Sequence, residues 1–318
     1  MNYSGQTMGT TYHVTAGVKK NQDPVEKEDL EYVLSDINRS LSTYIPTSLI
    51  SRINASRDTS ETHALDLHFM NVYSVAKEVY DATQGAFNPA VGPLVRAWGF
   101  AGDDPMDLDS SQVADLQRLV DFSAFEVFTA RKPVLKKHLP GAELDFNAIA
   151  KGYAVDEVGR LLEGAGIVDY LVEIGGEVRA RGRHPDGRMW RVGIEKPLAG
   201  ERDIETVVEL NNVSLATSGN YRNFYVRNGQ KFVHTINPMT GYPEMNRLLS
   251  ASVMSPECIT ADAFATALMV MGFERSISFA REPAAPDMYL IAGGDTTAFE
   301  IFATDGFSRF LADEKETP

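Results

Sequence analysis

Seven short runs of alternating apolar and polar residues crowd the second half of this 318-residue chain, at 170–174, 188–194, 207–210, 213–216, 231–236, 288–292 and 300–303, and a single helical pattern, 260–271, falls among them. Alternation with a period of two fits strands that bury one face. Strands that come in groups, with helices interspersed instead of alternating one for one, predict an α+β fold of mostly antiparallel sheets with packed helices and argue against regular βαβ winding.

The first half opens with a strand pattern at 8–15 and a helical pattern at 26–41, which Ser42, Thr43, Tyr44, Ile45 and Pro46 break. A second, well-buried helix is expected over 65–82, ended by the turn Gly85-Ala86-Phe87-Asn88-Pro89. Short strands near 125–128 and 134–137 and a helix over 150–162 follow. The stretch 99–111, rich in Gly, Asp, Pro and Ser, reads as a surface loop or a junction between lobes. The expectation is one domain over 1–318 with a lobe junction near 99–112.

A net charge of -14 and a pI near 4.9 argue against general nucleic-acid binding, which needs a basic surface to displace counterions. A phosphate ligand would have to be held locally, by a metal ion, helix N-termini and one or two placed cations. Cys258 is the only cysteine, which excludes an intrachain disulfide and a CxxC motif. No apolar run approaches the roughly 20 residues of a transmembrane helix. The opening residues show neither a basic nor an apolar leader region, so no signal peptide is expected.

Several segments carry candidate chemistry. In Ile259-Thr260-Ala261-Asp262-Ala263-Phe264-Ala265-Thr266, Thr260 reads as an N-cap and Asp262 and Thr266 share one helical face four residues apart. A carboxylate and a hydroxyl so placed suit a hard cation such as Mg²⁺; they equally suit an acid favouring the helix dipole and a threonine bonded back to a carbonyl. Lys151 falls in the first turn of the helix after Asp145-Phe146-Asn147-Ala148, facing where anions bind, and a surface ion pair with Asp145 or Asp156 is the plainer alternative. His234 precedes an Asn237-Pro238 turn near a strand end, where an imidazole, titrating near neutrality, could serve as a general base or simply be structural. The turns at Gly175-Gly176 and Thr217-Ser218-Gly219-Asn220-Tyr221 would let backbone approach a ligand, or are ordinary hairpin geometry. No Walker, HExxH, GxSxG or GxGxxG signature is present.

Taken in order, these segments resemble the FAD:protein FMN transferase (ApbE) family, flavin-trafficking lipoproteins included. The resemblance runs through Met8-Gly9-Thr10-Thr11-Tyr12, Leu41 to Tyr44, Gly85 to Pro89 with Gly92-Pro93-Leu94, Leu144 to Asp156, Glu173 to Glu177, Thr217 to Tyr221, His234 to Gly241 and Ala261 to Thr266. It implies two lobes around a flavin cleft. It also implies that Asp262, Thr266 and the backbone carbonyl of Ala148 bind Mg²⁺, and that FAD is lined by Met8, Tyr44, Ala86, Phe87, Asn88, Asp145, Asn147, Lys151, Gly175, Gly176, Ser218 and His234, with His234 as base and Asp262 as the second catalytic residue. Asn88 stands where the family frequently has aspartate, and Asn237 where it often has His-x-Ile-Asp-Pro; both keep an oxygen acceptor.

The implied reaction splits FAD, attaches FMN through a phosphoester to a Thr or Ser of an acceptor protein and releases AMP. Implied acceptors are subunits of sodium-pumping or related flavin-dependent electron-transfer complexes bearing an Asp-x-x-Ser/Thr-x-Thr-like segment. Family members are mostly exported lipoproteins on the periplasmic face of the inner membrane, with a cytoplasmic location as the alternative; this chain lacks an anchor cysteine near its start. A flavin-binding protein without chemistry and an FAD pyrophosphatase are the rival readings.

Overall fold

The computed structural model describes residues 1–19, 23–102, 104–129, 132–198, 203–220, 224–227, 230–244, 246–293 and 298–312. Two compact units are present, one comprising Met1–Leu34, Lys151–Arg222 and Asn246–Pro318, the other Ser35–Ala150 and Asn223–Met245. Residues 99–102 and 104–112 fall within the second unit. Tyr221, the last residue of the Thr217-to-Tyr221 turn, falls outside the described residues, as do Gly294 and Asp295 in the turn expected between the runs 288–292 and 300–303.

The first unit is built on an antiparallel sheet of eight strands. Their spatial order is Asn2–Thr7, Thr10–Ala16, Tyr170–Ile174, Glu177–Arg181, Val213–Gly219, Leu248–Ser255, Asp287–Gly293 and Phe299–Ala303. The strand expected at 8–15 begins only at Thr10 and pairs with an earlier strand, Asn2–Thr7, because Met8 and Gly9 take positive φ (49° and 73°) and turn the chain between Thr7 and Thr10. Gly175 and Gly176 (φ 62° and 102°) do the same between Ile174 and Glu177. Strand direction alternates across the sheet, so both turns and the end of the Val213–Gly219 strand lie at one end of it.

On one face, Val178, Ala180, Leu215, Met254 and Ile291 pack with Val208 and Leu210 of a two-stranded ribbon, Trp190–Glu195 with Ile204–Leu210. Helix Cys258–Met271 packs on the strands Val213–Gly219 and Leu248–Ser255. That helix is apolar nearly all round, and eleven of its residues are buried, as a helix enclosed by its own unit must be. Among the described residues no helix is long and apolar enough to cross a membrane.

Two helices of this unit satisfy each other's ends. Asp156, on the helix Ala150–Gly164, is fully buried, and its carboxylate accepts the N–H groups of Cys258 (3.0 Å) and Ile259 (2.9 Å). In return, Asp262 accepts the N–H of Gly152 (2.9 Å) in the first turn of the Asp156 helix. First-turn amides have no partner within their own helix, so each carboxylate acts as a cap supplied from across the interface. This corrects the expectation for Thr260: the helix starts at Cys258, so Thr260 lies inside it, and the acid that caps it comes from Asp156 and not from the preceding residues.

The second unit holds helices Leu49–Ala55, Leu67–Ala82, Gly92–Ala97 and Ser110–Gln117, a small sheet ordered Thr62–Ala64, Val134–Lys137, Phe125–Phe128, and the hairpin Phe224–Arg227 with Gln230–Val233. The strand expected to reach Ile236 thus ends at Val233, and Ile236 makes only an isolated bridge to Pro243. Asn54 accepts from the N–H of Leu144 and donates to its carbonyl, both at 2.8 Å, while buried Lys137 donates to the carbonyl of Asn54 (2.9 Å). These bonds fix the backbone just ahead of the 145–148 segment.

Gly152 permits the two helices to come this close. A Cβ there would stand 2.4 Å from the carbonyl oxygen of Cys258 and 2.8 Å from the Cβ of Asp262. Gly152→Ala is therefore expected to lower stability by about 1–3 kcal/mol, read as a fall in the urea midpoint at unchanged slope. A midpoint equal to that of the wild type would show that the helices do not need this approach.

Candidate active site

The strand Glu177–Arg181 has two unlike faces. Val178 and Ala180 enter the apolar core, whereas Glu177, Arg179 and Arg181 point the other way and meet the helix Ala150–Gly164. The result is a ladder of ion pairs. Glu177 takes the ammonium of Lys151, Arg179 binds Asp156 (2.7 Å) and Glu163 (3.1 Å), and Arg181 binds Glu163 (2.9 Å). Gly159 makes room for the middle rung, since a Cβ there would lie 2.9 Å from the Tyr170 hydroxyl and 3.0 Å from Arg179.

The top rung is the chemically distinctive one. Lys151, Glu177 and Asp262 are grouped where the helix begins, and the side chain of Glu177 is only 3% exposed. One Glu177 oxygen holds Lys151, and the other, Oε2, accepts no hydrogen bond from any described residue. Burial pushes the Glu177 carboxyl up to about 7, with Lys151 opposing and Asp262 reinforcing the shift. Burial likewise raises Asp262, against the pull of Lys151 and the Gly152 amide. Burial by itself would lower the Lys151 ammonium, but the two carboxylates outweigh it and hold the group above the ordinary lysine range.

Of the residues expected at the site, Met8, Lys151, Gly175, Gly176, Ser218, Asp262 and Thr266 belong to the first unit. Gly175 abuts Lys151, and a Cβ there would stand 3.4 Å from its Cδ. Thr266 lies one turn beyond Asp262, its hydroxyl 3.3 Å from that of Ser218. The alternative pairings of Lys151 with Asp145 or Asp156 are not the ones formed, since its partner is Glu177.

Tyr44, Ala86, Phe87, Asn88, Asp145, Asn147, Ala148 and His234 belong to the second unit. Tyr44 is exposed in the break after the first helix, while Ala86 and Phe87 are buried in a turn that Thr83 holds through the Phe87 amide (3.1 Å). Asn88 accepts from the Ala90 amide (2.9 Å) and Asp145 from the Asn147 amide (2.7 Å), so each closes a local turn. His234 follows the last residue of its strand and meets the ring of Phe100 edge-on at 6.5 Å. Asn237 does what an aspartate would do at its position, accepting the amides of Met239 (2.9 Å) and Thr240 (3.3 Å).

Among the described residues no group of three or more His, Cys, Asp or Glu is arranged to hold a metal. A hard cation nevertheless suits the first unit's residues. Asp262 and Thr266 offer oxygen donors, and two buried carboxylates stand against one ammonium beside an oxygen of Glu177 that nothing described satisfies.

The ApbE family model matches residues 8–290. The chain belongs to the ApbE family. It is 36% identical to the FAD:protein FMN transferase of Haemophilus influenzae over 98% of this chain and 92% of that protein. It is 35% identical to the FAD:protein FMN transferase of Vibrio cholerae, over 97% and 92%. The solved flavin transferase ApbE from Vibrio cholerae superposes with a TM-score of 0.87 at 34% identity, over 98% of this chain and 99% of that one. The α+β architecture is thus an ApbE fold. Sequence reasoning on this ApbE chain passed over Glu177 as a site residue, and over Asp156 and Arg179 as its supports. The available signal was the charged residues at alternate positions of a strand whose other face is Val178 and Ala180.

The raised Glu177 carboxyl sets a pH dependence. An unfolded glutamate titrates near 4.5 and the folded one near 7, so between these values the native state holds more protons and rising pH costs stability. Without added metal, wild type should lose stability relative to Glu177→Gln from pH 4.5 to 7. Parallel stability profiles for the two proteins would remove the assigned burial effect.

Proposed function

We propose that this chain is a magnesium-dependent FAD:protein FMN transferase, joining the FMN half of FAD through a phosphoester to a threonine or serine hydroxyl of an acceptor protein and releasing AMP. The observation that carries this reading is the group of half-buried Lys151 with buried Glu177 and Asp262 beside the Gly175-Gly176 turn. It combines a fixed cation and closely approachable backbone for phosphates with carboxylates for a metal, in a chain 36% identical to a protein named for this reaction.

In the proposed reaction the acceptor hydroxyl oxygen forms a bond to the FMN-side phosphorus as the anhydride P–O bond breaks, and AMP departs with the bridging oxygen. His234 takes the proton from that hydroxyl. Lys151, held by Glu177, offers its charge to a phosphate oxygen, and the Gly175-Gly176 turn, whose residues carry no side chains, lets a ligand approach the backbone, although its two amides already donate to Thr11 and Glu173. Asp262, Thr266 and the carbonyl of Ala148 would hold Mg²⁺, which when bound neutralises charge developing on the phosphates. Met8, Tyr44, Ala86, Phe87, Asn88, Asp145, Asn147 and Ser218 complete the proposed FAD lining. The proposed acceptors are subunits of sodium-pumping or related electron-transfer complexes, and the proposed location is the periplasmic face of the inner membrane by a lipid anchor, with the cytoplasm as the alternative.

Incubation with FAD, Mg²⁺ and an acceptor bearing the Asp-x-x-Ser/Thr-x-Thr-like segment should add one FMN mass to the acceptor and release equimolar AMP. AMP without an adduct would instead make the protein a pyrophosphatase. Asp262→Asn, whose amide oxygen still accepts from Gly152, should abolish metal-dependent transfer, and full activity at low Mg²⁺ would refute the metal assignment. His234→Ala should slow transfer by about 10² to 10⁴; loss of FAD affinity at unchanged turnover would make His234 a binding residue.

The segment Asp262-Ala263-Phe264-Ala265-Thr266 itself resembles an acceptor. Thr266 lies within a helix and its hydroxyl is engaged near Ser218 (3.3 Å), so self-flavinylation is not expected. Intact-mass measurement after incubation with FAD and Mg²⁺ tests this; an FMN adduct lost in Thr266→Ala would make Thr266 an acceptor.

A further inference from the structure

The charges of the ladder do not balance evenly along its length. In its lower rungs Arg179 and Arg181 face Asp156 and Glu163, two cations against two anions. At the top Lys151 alone faces Glu177 and Asp262, leaving one negative charge over when both acids are ionised. If the purpose of this corner were only to bind phosphates with Lys151, Glu177 would work against it, because it cancels the ammonium and is itself buried at a cost. Its Oε2 accepts nothing from the described residues, so that oxygen recovers none of the cost through protein hydrogen bonds, and Lys151 offsets it only at the other oxygen.

A charge arrangement of this kind favours a cation and an anion arriving together over an anion alone. We propose that Glu177 is the residue that makes binding of an anionic diphosphate at this corner conditional on a divalent cation, by cancelling Lys151 so that the corner stays net negative until the metal is present. This rests on the reading of FAD as substrate and deepens it. By linkage the coupling is reciprocal, so FAD raises affinity for the metal by the same factor that the metal raises affinity for FAD. For a transferase the consequence is discrimination: FAD held without the metal would be a dead-end complex, and Glu177 keeps that complex sparsely populated. Glu177 needs no contact with the reacting atoms to do this, so it is a positioning residue.

The test measures FAD affinity by quenching of flavin fluorescence at pH 8, in Mg²⁺ and in EDTA, for wild type, Glu177→Gln, Glu177→Asp and Lys151→Met, with thermal melts to confirm folding. Wild type should bind FAD at least about tenfold more tightly in Mg²⁺. Glu177→Gln should bind FAD more tightly than wild type in EDTA, shrinking the Mg²⁺ effect by about tenfold, while Glu177→Asp, which keeps the charge, should retain it. Lys151→Met, which leaves two carboxylates uncompensated, should steepen the Mg²⁺ effect, and this comparison decides the matter if Glu177→Gln does not fold. A Mg²⁺ effect equal within twofold in wild type and Glu177→Gln, or in wild type and Lys151→Met, overturns the proposal while leaving the FAD reading intact. A merely structural Glu177 would shift the melts and lower affinity alike with and without Mg²⁺, which also overturns it. Absence of FAD binding by wild type under both conditions would instead sink the functional reading on which the proposal stands.

Discussion

The rest of the first unit depends on an exchange of caps between two helices. Asp156 closes the start of the helix Cys258–Met271, and Asp262 on that helix closes the start of the helix Ala150–Gly164. Each bond is an ordinary amide-to-carboxylate contact of a kind that contributes about 0.5–2 kcal/mol. Their joint effect is positional. They lock two helix N-termini against each other at Gly152, and Lys151, its chain neighbour, is thereby carried to Glu177 on the sheet. A register change of one residue in either helix would break all these contacts together.

Much of the fold was legible in the sequence where the determinants are local. The strands at 170–174 and 213–216, the helix expected over 65–82 and found at Leu67–Ala82, and the Asn237 turn all follow from periodicity or turn chemistry within a few residues. The start of the Asp262 helix was misread because its cap lies about a hundred residues away, at Asp156, and local sequence carries no trace of it. The helices Gly92–Ala97 and Phe273–Phe279 span barely two turns, too short for a periodic signal. The candidate site was legible mainly as an ordered set of segments. On spacing alone Lys151 read as well as a surface lysine, and Glu177 was invisible as a buried acid because the polar face of a strand is ordinarily the wet one.

Asp262 joins stability to function in one side chain. Its Oδ2 caps a helix, and the same carboxylate is the proposed metal ligand. A carboxylate fixed by a backbone amide is already ordered and oriented, so a ligand it binds pays less to immobilise it. The cost falls on the protein without the metal, which must bury two acids around one ammonium; that burial raises the Glu177 carboxyl, with Asp262 adding to it.

This arrangement also explains how a chain carrying a net charge of -14 can be expected to take an anionic nucleotide. Charges on the surface are screened over roughly 8 Å at physiological ionic strength, so the overall sign of the protein matters less than the few groups within that distance. At this corner Lys151 stands on one side and two buried carboxylates on the other, beside a glycine turn whose amides donate to Thr11 and Glu173. A corner built from lysines alone would attract any phosphate in the cell. On the proposed reading, one lysine matched against two acids attracts little by itself and would draw a diphosphate only once a divalent cation reverses the local sign, so that the acids would filter what the glycine turn holds.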